Sequence, residues 1–139
     1  MFEKSVNFTI YGKPVPKGRP RMTRYGTAYT PKTTRSYEEK VRACYLNQGG
    51  INFGDAPVDV MMTFCFPIPK SWSKKKREAA LRAPYCKRPD ADNLAKAVLD
   101  ALNGVAYTDD GQVCSMVLAK EYAPDPMTVV TITEVTGDE

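Results

Sequence analysis

Apolar and polar positions alternate from Val6 to Tyr11 and stop at Gly12, the period-two signature of a strand. The next stretch, Pro14 to Pro31, is rich in proline and glycine and predicts a loop, with Tyr25-Gly26 as a turn inside it. From Ser36 the pattern changes to helical spacing through Tyr37, Val41, Cys44 and Tyr45, ended by Gly49-Gly50. Val58 to Phe66 is a strongly apolar strand stopped by Pro67 and Pro69. Ser73 then caps a short basic helix reaching Leu81, and Pro84 to Pro89 forms another loop. A further helix carries Leu94, Val98, Leu99 and Leu102 on its apolar face, with Asp92 or Asn93 as its cap and Asn103-Gly104 as its stop. Val113 to Tyr122 and Thr128 to Val135 are the last strands, joined through Pro124-Asp125-Pro126 and most simply paired as a hairpin. The whole predicts an α/β fold: one domain over residues 1–139, a sandwich of a small mixed sheet with helices packed on it.

Charge divides the chain unequally. Residues 1–89 carry eighteen Lys/Arg against six Asp/Glu, and residues 90–139 carry two against ten. A cationic body with one acidic end suits a polyanion-binding surface around a cation site. The chain contains no histidine, and its four cysteines, Cys44, Cys65, Cys86 and Cys114, form no CxxC. A zinc site of ordinary spacing and a histidine general base are therefore excluded, and the thiols are expected to be reduced and mostly packed as small hydrophobes. No apolar run approaches the ~18 residues of a membrane span, and Met1-Phe2-Glu3-Lys4 lacks the layout of a leader peptide. The expectation is a cytoplasmic protein.

Chemistry concentrates in Asp90-Ala91-Asp92-Asn93 and in Asp109-Asp110, on either side of the predicted helix. The six residues from Gly104 to Asp109 can span roughly 20 Å, enough to double back along a helix roughly 16–18 Å long. Asp109 or Asp110 can then meet Asp90 and Asp92 at the helix N-terminus. Converging carboxylates repel one another unless a cation joins them, and Mg²⁺ or Mn²⁺ suits an all-oxygen site that retains waters. Lys96 lies four residues after Asp92, and Asp100 four after Lys96, so the three share a helix face. They make either a surface ion-pair ladder or, for Lys96, a cation beside the metal that stabilises a transferring phosphate. Asp100, two turns further on, is expected to be structural. An EF-hand is ruled out, since Leu94, Ala95 and Ala101 stand where it needs an oxygen ligand, a glycine and a glutamate, and no P-loop or GxGxxG occurs.

Lys87-Arg88-Pro89-Asp90-Ala91-Asp92-Asn93-Leu94, Lys96, Asp100-Ala101-Leu102-Asn103-Gly104 and Asp109-Asp110-Gly111-Gln112-Val113 together closely resemble the RusA family of Holliday-junction resolvases of bacteria and their phages. Pro14-Val15-Pro16-Lys17-Gly18-Arg19-Pro20-Arg21, the Phe66-Pro67-x-Pro69 motif and Trp72-Ser73-Lys74-Lys75-Lys76 carry the resemblance through the basic half. It implies a homodimeric, Mg²⁺-dependent endodeoxyribonuclease of bacterial or phage origin, cutting two strands of a four-way DNA junction symmetrically in recombination and repair. By match to the family motif, Asp90, Asp92 and Asp110 are the metal-binding catalytic carboxylates and Lys96 the catalytic lysine. Asp109 is an adjacent acid that can share the ligand role.

Lys17, Arg19, Arg21, Arg24, Lys32 and Arg35 lie within nineteen residues, interleaved with tyrosines. Such a segment can reach phosphates and stack on unpaired bases, and Lys74, Lys75 and Lys76 can add phosphate contacts. Solvated charges are the bland alternative for both. One acidic site per protomer cuts one phosphate, so paired cuts require two sites about a two-fold axis. A nuclease for other branched DNA, such as forks or flaps, and a non-catalytic DNA-binding protein remain as alternative readings.

Overall fold

A computed structural model describes residues 4–136; residues 1–3, on which the expectation of no leader rests, lie outside them. The elements run β1 (Ser5–Tyr11), β2 (Arg21–Met22), β3 (Ala28–Tyr29), α1 (Lys32–Asn47), β4 (Val58–Pro67), α2 (Lys74–Ala80), α3 (Ala91–Leu102), β5 (Val113–Ala123) and β6 (Met127–Glu134). The main sheet has the order β1-β6-β4-β5, antiparallel except for the parallel pair β4 and β5. The expected mixed α/β fold is present.

The hairpin expected from the last two strands is not. β6 pairs with β4 and β1, and β5 takes the opposite edge of β4. Two physical reasons account for this. Prolines 124 and 126 supply neither the positive φ nor the amide donors of a tight hairpin turn. β4 is also the most apolar strand, and a strand buried at Val58, Val60, Met62, Phe64 and Phe66 is best satisfied with ladders on both edges.

One face of the sheet is covered. Val6, Phe8 and Ile10 of β1 and Val130 and Ile132 of β6 join the β4 side chains beneath α1 and α3, which also pack on each other. α1 inserts Tyr37, Val41 and Tyr45, and α3 inserts Leu94, Ala95, Val98, Ala101 and Leu102, an i, i+4 pattern that leaves the opposite helix face free for charge. The other sheet face carries short polar ladders, Ser5 with Thr133 and Asn7 with Thr131, beside exposed Met61 and Val117.

Boundaries shift in three places. α1 starts at Lys32 after Pro31, a turn before Ser36. α3 is capped by Asp90, not by Asp92 or Asn93; its backbone is extended there and its carbonyl accepts Leu94 N–H. The Pro14–Pro31 loop contains a two-residue hairpin, β2 with β3, closed by a turn from Thr23 to Thr27 that includes Tyr25-Gly26. All four cysteines are free, but Cys86 and Cys114 are exposed, so packing describes only Cys65 and in part Cys44. Among the described residues no helix is long and apolar enough to cross a membrane.

The end of α3 is closed by a side chain from beyond it. Tyr107, wholly buried, donates its hydroxyl to Leu99 O at 2.7 Å, a carbonyl in the helix's last turn, where the α-helical ladder runs out. Tyr107→Phe should leave that carbonyl unsatisfied and cost about 1–2 kcal/mol, lowering the urea midpoint at unchanged m-value.

Candidate active site

Asp90 and Asp92 sit at the head of α3, both exposed, where the positive end of the helix dipole favours carboxylates. Asn93 turns the other way. Its backbone carbonyl accepts Lys17 N–H at 3.1 Å and its side-chain amide donates to Lys17 O at 3.3 Å, stapling the basic loop to the first turn of α3. Lys17 then extends along the helix and places Nζ 3.0 Å from Asp100 and 3.1 Å from Glu38 of α1. Burial disfavours its charge, yet the bonds to Asp100 and Glu38 outweigh that and hold its pKa above the ordinary lysine value.

Lys96 shares Asp100 at 3.7 Å, and its side chain is 62% exposed. The ladder read from i, i+4 spacing is thus half formed: Lys96 pairs forward to Asp100, and the described ion pairs include none to Asp92. Asp100 was expected to be structural and remote. It is the acid on which both lysines converge, an ion-paired and thus structural part.

The second acidic pair is built by a 3₁₀ turn, Asp110–Gln112. Asp109 caps it: its Oδ2 accepts Gly111 N–H at 2.9 Å, while Gln112 Oε1 accepts Asp109 N–H at 2.8 Å. Gln112 also donates to Gly54 O and Ala56 O at 2.7 and 2.8 Å, anchoring the turn to the loop before β4. Asp110, free of the capping duty, is half-buried. Burial first, and then the charges of Asp110, Asp100 and Asp109, push the Tyr107 phenol far above its ordinary pKa. The chain therefore does double back beside α3, and Asp110 and Asp109 come within electrostatic reach of the Leu99–Asp100 turn.

No group of three or more Asp, Glu or Cys among the described residues is close enough to hold a metal, so the three-way convergence expected from sequence is not closed. The donor chemistry nonetheless suits Mg²⁺, which binds through one or two carboxylates and otherwise keeps waters and phosphate oxygens. The side chains of Asp90, Asp92 and Asp110 enter none of the described hydrogen bonds or ion pairs. Asp109 is partly spent on its cap and Asp100 on two lysines.

Of the basic residues, Lys17 is engaged as a strut. Arg19, Arg21 and Arg24 are exposed, with Arg24 over the Tyr25 ring at 5.7 Å. Lys74, Lys75 and Lys76 project from α2, Lys76 lying 4.1 Å over Trp72. Sequence reasoning missed Glu38, Asn93 as a loop anchor, and Lys120. Lys120 donates to Lys87 O at 2.7 Å and Pro89 O at 2.9 Å, holding the segment that delivers Asp90. One signal was available for it: alternation along β5 puts Lys120 on the same face as Leu118, an inward position unusual for lysine.

The chain is 37% identical over 140 residues to YqaN of Bacillus subtilis (strain 168), an uncharacterized protein, covering 95% of this chain and 98% of that one. A family model described as Endodeoxyribonuclease RusA matches residues 11–133, a span that includes every acid, lysine and loop described above. The chain therefore belongs to the RusA family of endodeoxyribonucleases.

Proposed function

We propose that this protein is a divalent-metal-dependent endodeoxyribonuclease that resolves four-way DNA junctions, acting as a homodimer so that two sites nick opposing strands symmetrically. The observation that supports it most is the placement of Asp90, Asp92 and the exposed Lys96 on one helix, in a chain of this family. Asp90, Asp92 and Asp110 would hold Mg²⁺ or Mn²⁺. A divalent ion supplies Lewis-acid stabilisation of the phosphate and lowers the pKa of a water beside it. The chain's own part is to fix the scissile phosphate. Lys96, held only by a long ion pair to Asp100, has its ammonium free to meet charge that develops on the phosphate oxygens. Water oxygen bonds to phosphorus as the P–O3′ bond breaks, leaving a 5′-phosphate and a 3′-hydroxyl.

The basic loop supports the same reading. Arg19, Arg21 and Arg24, with Lys74, Lys75 and Lys76, can neutralise phosphates without reading sequence, which fits an enzyme selective for shape.

Five outcomes test these assignments. Asp90→Asn and Asp110→Asn should each lower cleavage of an end-labelled four-way junction in Mg²⁺ at least about a hundredfold while junction binding persists, because removing negative charge beside DNA weakens repulsion. Asp109→Asn, still able to cap, should keep most activity; equal losses at Asp109 and Asp110 would contradict the division of roles. EDTA should abolish cutting, with Mn²⁺ restoring it, while the melting temperature stays nearly constant; a large fall would point to a structural cation instead. Arg21→Ala should reduce the salt dependence of junction binding by about one phosphate contact. Lys17→Ala should leave that dependence nearly unchanged and lower thermal stability, since it leaves Asp100 and Glu38 without their shared cation.

A further inference from the structure

Beyond the acidic site, β4 and β5 end in an aromatic cluster on the same sheet face as α3. Phe66 stacks on Tyr85 with centroids 4.0 Å apart and planes within 10°, and Tyr122 meets Tyr85 edge-on at 5.1 Å. Main-chain pairing fixes these walls: Tyr85 N–H donates to Lys120 O and Tyr122 N–H to Ala83 O, both at 3.0 Å. Beside these packed rings opens a cleft of about 130 Å³, lined by Phe66, Tyr85 and Tyr122 together with Pro69, Lys13 and Lys87. Both lysines are exposed, and neither has an ion-pair partner among the described residues. No carboxylate lines the cleft.

An aromatic cluster alone would be a satellite of the core. The open, acid-free cleft and its two unpaired cations ask for an occupant that is flat and apolar on its face and anionic at its edge. The volume is below the roughly 300–1,000 Å³ of ordinary small-molecule pockets, so one ring system fits and a larger ligand does not. Position narrows it further. Lys87 and Asp90 are three residues apart, at most ~10 Å of chain, a distance a DNA strand covers in about three nucleotides or fewer. Lys120 joins the two sites physically, since it bonds both Lys87 O and Pro89 O and lies 5.7 Å from the Tyr85 ring centroid.

The geometry points to a nucleobase subsite: the Tyr85–Tyr122 cleft takes one unstacked base of the DNA strand being cut, and Lys13 and Lys87 hold its flanking phosphates. This rests on the nuclease reading above and adds to it how the enzyme selects a branch point, where unstacked bases cost least to capture.

A cycle between protein and DNA tests it. Wild type, Tyr122→Leu and the Lys13→Ala/Lys87→Ala double variant are titrated in EDTA, where nothing is cut. The ligands are four-way junctions with single abasic sites at successive positions around the crossover. One abasic position should weaken wild-type binding roughly five- to hundredfold, Tyr122→Leu should lose a similar factor on the intact junction, and the two losses should not add. The double-lysine variant, changed only at exposed positions, should retain the abasic effect and show a salt slope smaller by roughly one to two. Abasic sites that change wild-type affinity less than twofold everywhere, or an abasic loss undiminished in Tyr122→Leu, overturn the subsite. If Tyr122→Leu does not fold, the wild-type abasic scan and the salt slope of the lysine variant decide alone, and no change in either overturns it. Cutting of the intact junction by wild type in Mg²⁺ is scored separately. Coupling without cutting sinks the nuclease reading and keeps the cleft; cutting without coupling does the reverse.

Discussion

Everything in this molecule hangs on how α3 lies against the sheet. Its buried side is built from Leu94, Ala95, Ala97, Val98, Ala101 and Leu102, and the alanines let the helix sit close over β4 and β5 while Leu94 and Leu102 fill the space at either end. A helix so held cannot roll, because any rotation exposes that stripe to water at roughly 25 cal/mol per Å². The opposite face is therefore fixed in space, and it is the face that carries Asp92, Lys96 and Asp100. Packing energy is converted directly into placement of charge. A loop-borne acidic cluster would lack that stiffness.

The second layer of organisation is electrostatic and joins the two oppositely charged parts of the chain. A loop rich in arginine would drift from the body if solvation alone governed it. Lys17 prevents this by contributing one cation to a half-buried pair of carboxylates from different helices, Glu38 and Asp100, while Asn93 closes two main-chain bonds at the loop's base. Attaching the loop beside Asp92 means that whatever the arginines hold is presented to the acids. The same attachment draws off Asp100, which would otherwise add a further negative charge near a phosphate. Asp109 is handled likewise, its oxygen turned to a backbone amide. Of five acids gathered on or beside α3, two are thus engaged by local bonds.

How much of this the sequence could tell depends on the range of the interaction concerned. β1 and α3 were legible because alternation and i, i+4 spacing are local consequences of burial on one face. The acids could be singled out as candidates too, since carboxylates around one lysine in a chain without histidine leave few chemistries. The pairing of β5 was not: whether β6 or β4 lies beside it is decided by which strand most needs two neighbours, a property of the whole sheet. The cap of α3 was misplaced by two or three residues because Asp90, Asp92 and Asn93 are equally good caps by type, and only the backbone chooses among them. Lys17 read as a phosphate ligand for the same reason. Its partner Asp100 is 83 residues away, and nothing near Lys17 in the chain reveals it.

β5 finally connects the parts that the sequence kept separate. Its N-terminal end emerges from the 3₁₀ turn bearing Asp110, and its C-terminal end carries Lys120 and Tyr122, which form the support of the Pro84–Asp90 segment and one wall of the aromatic cleft. A strand rises about 3.3 Å per residue, so the seven steps from Val113, directly after that turn, to Lys120 set a span of roughly 23 Å along one edge of the sheet, with α3 lying beside it. That edge is parallel to β4 and therefore has its register fixed by slanted ladder bonds as well as by side chains. Displacement of the strand would shift Asp110 and Lys120 together, one carrying an acid and the other the support of Asp90. Asp110 and the support of the Asp90 segment are in this sense both tied to one strand, so the placement of the two acidic stretches relative to each other is set by β5 as well as by the helix between them.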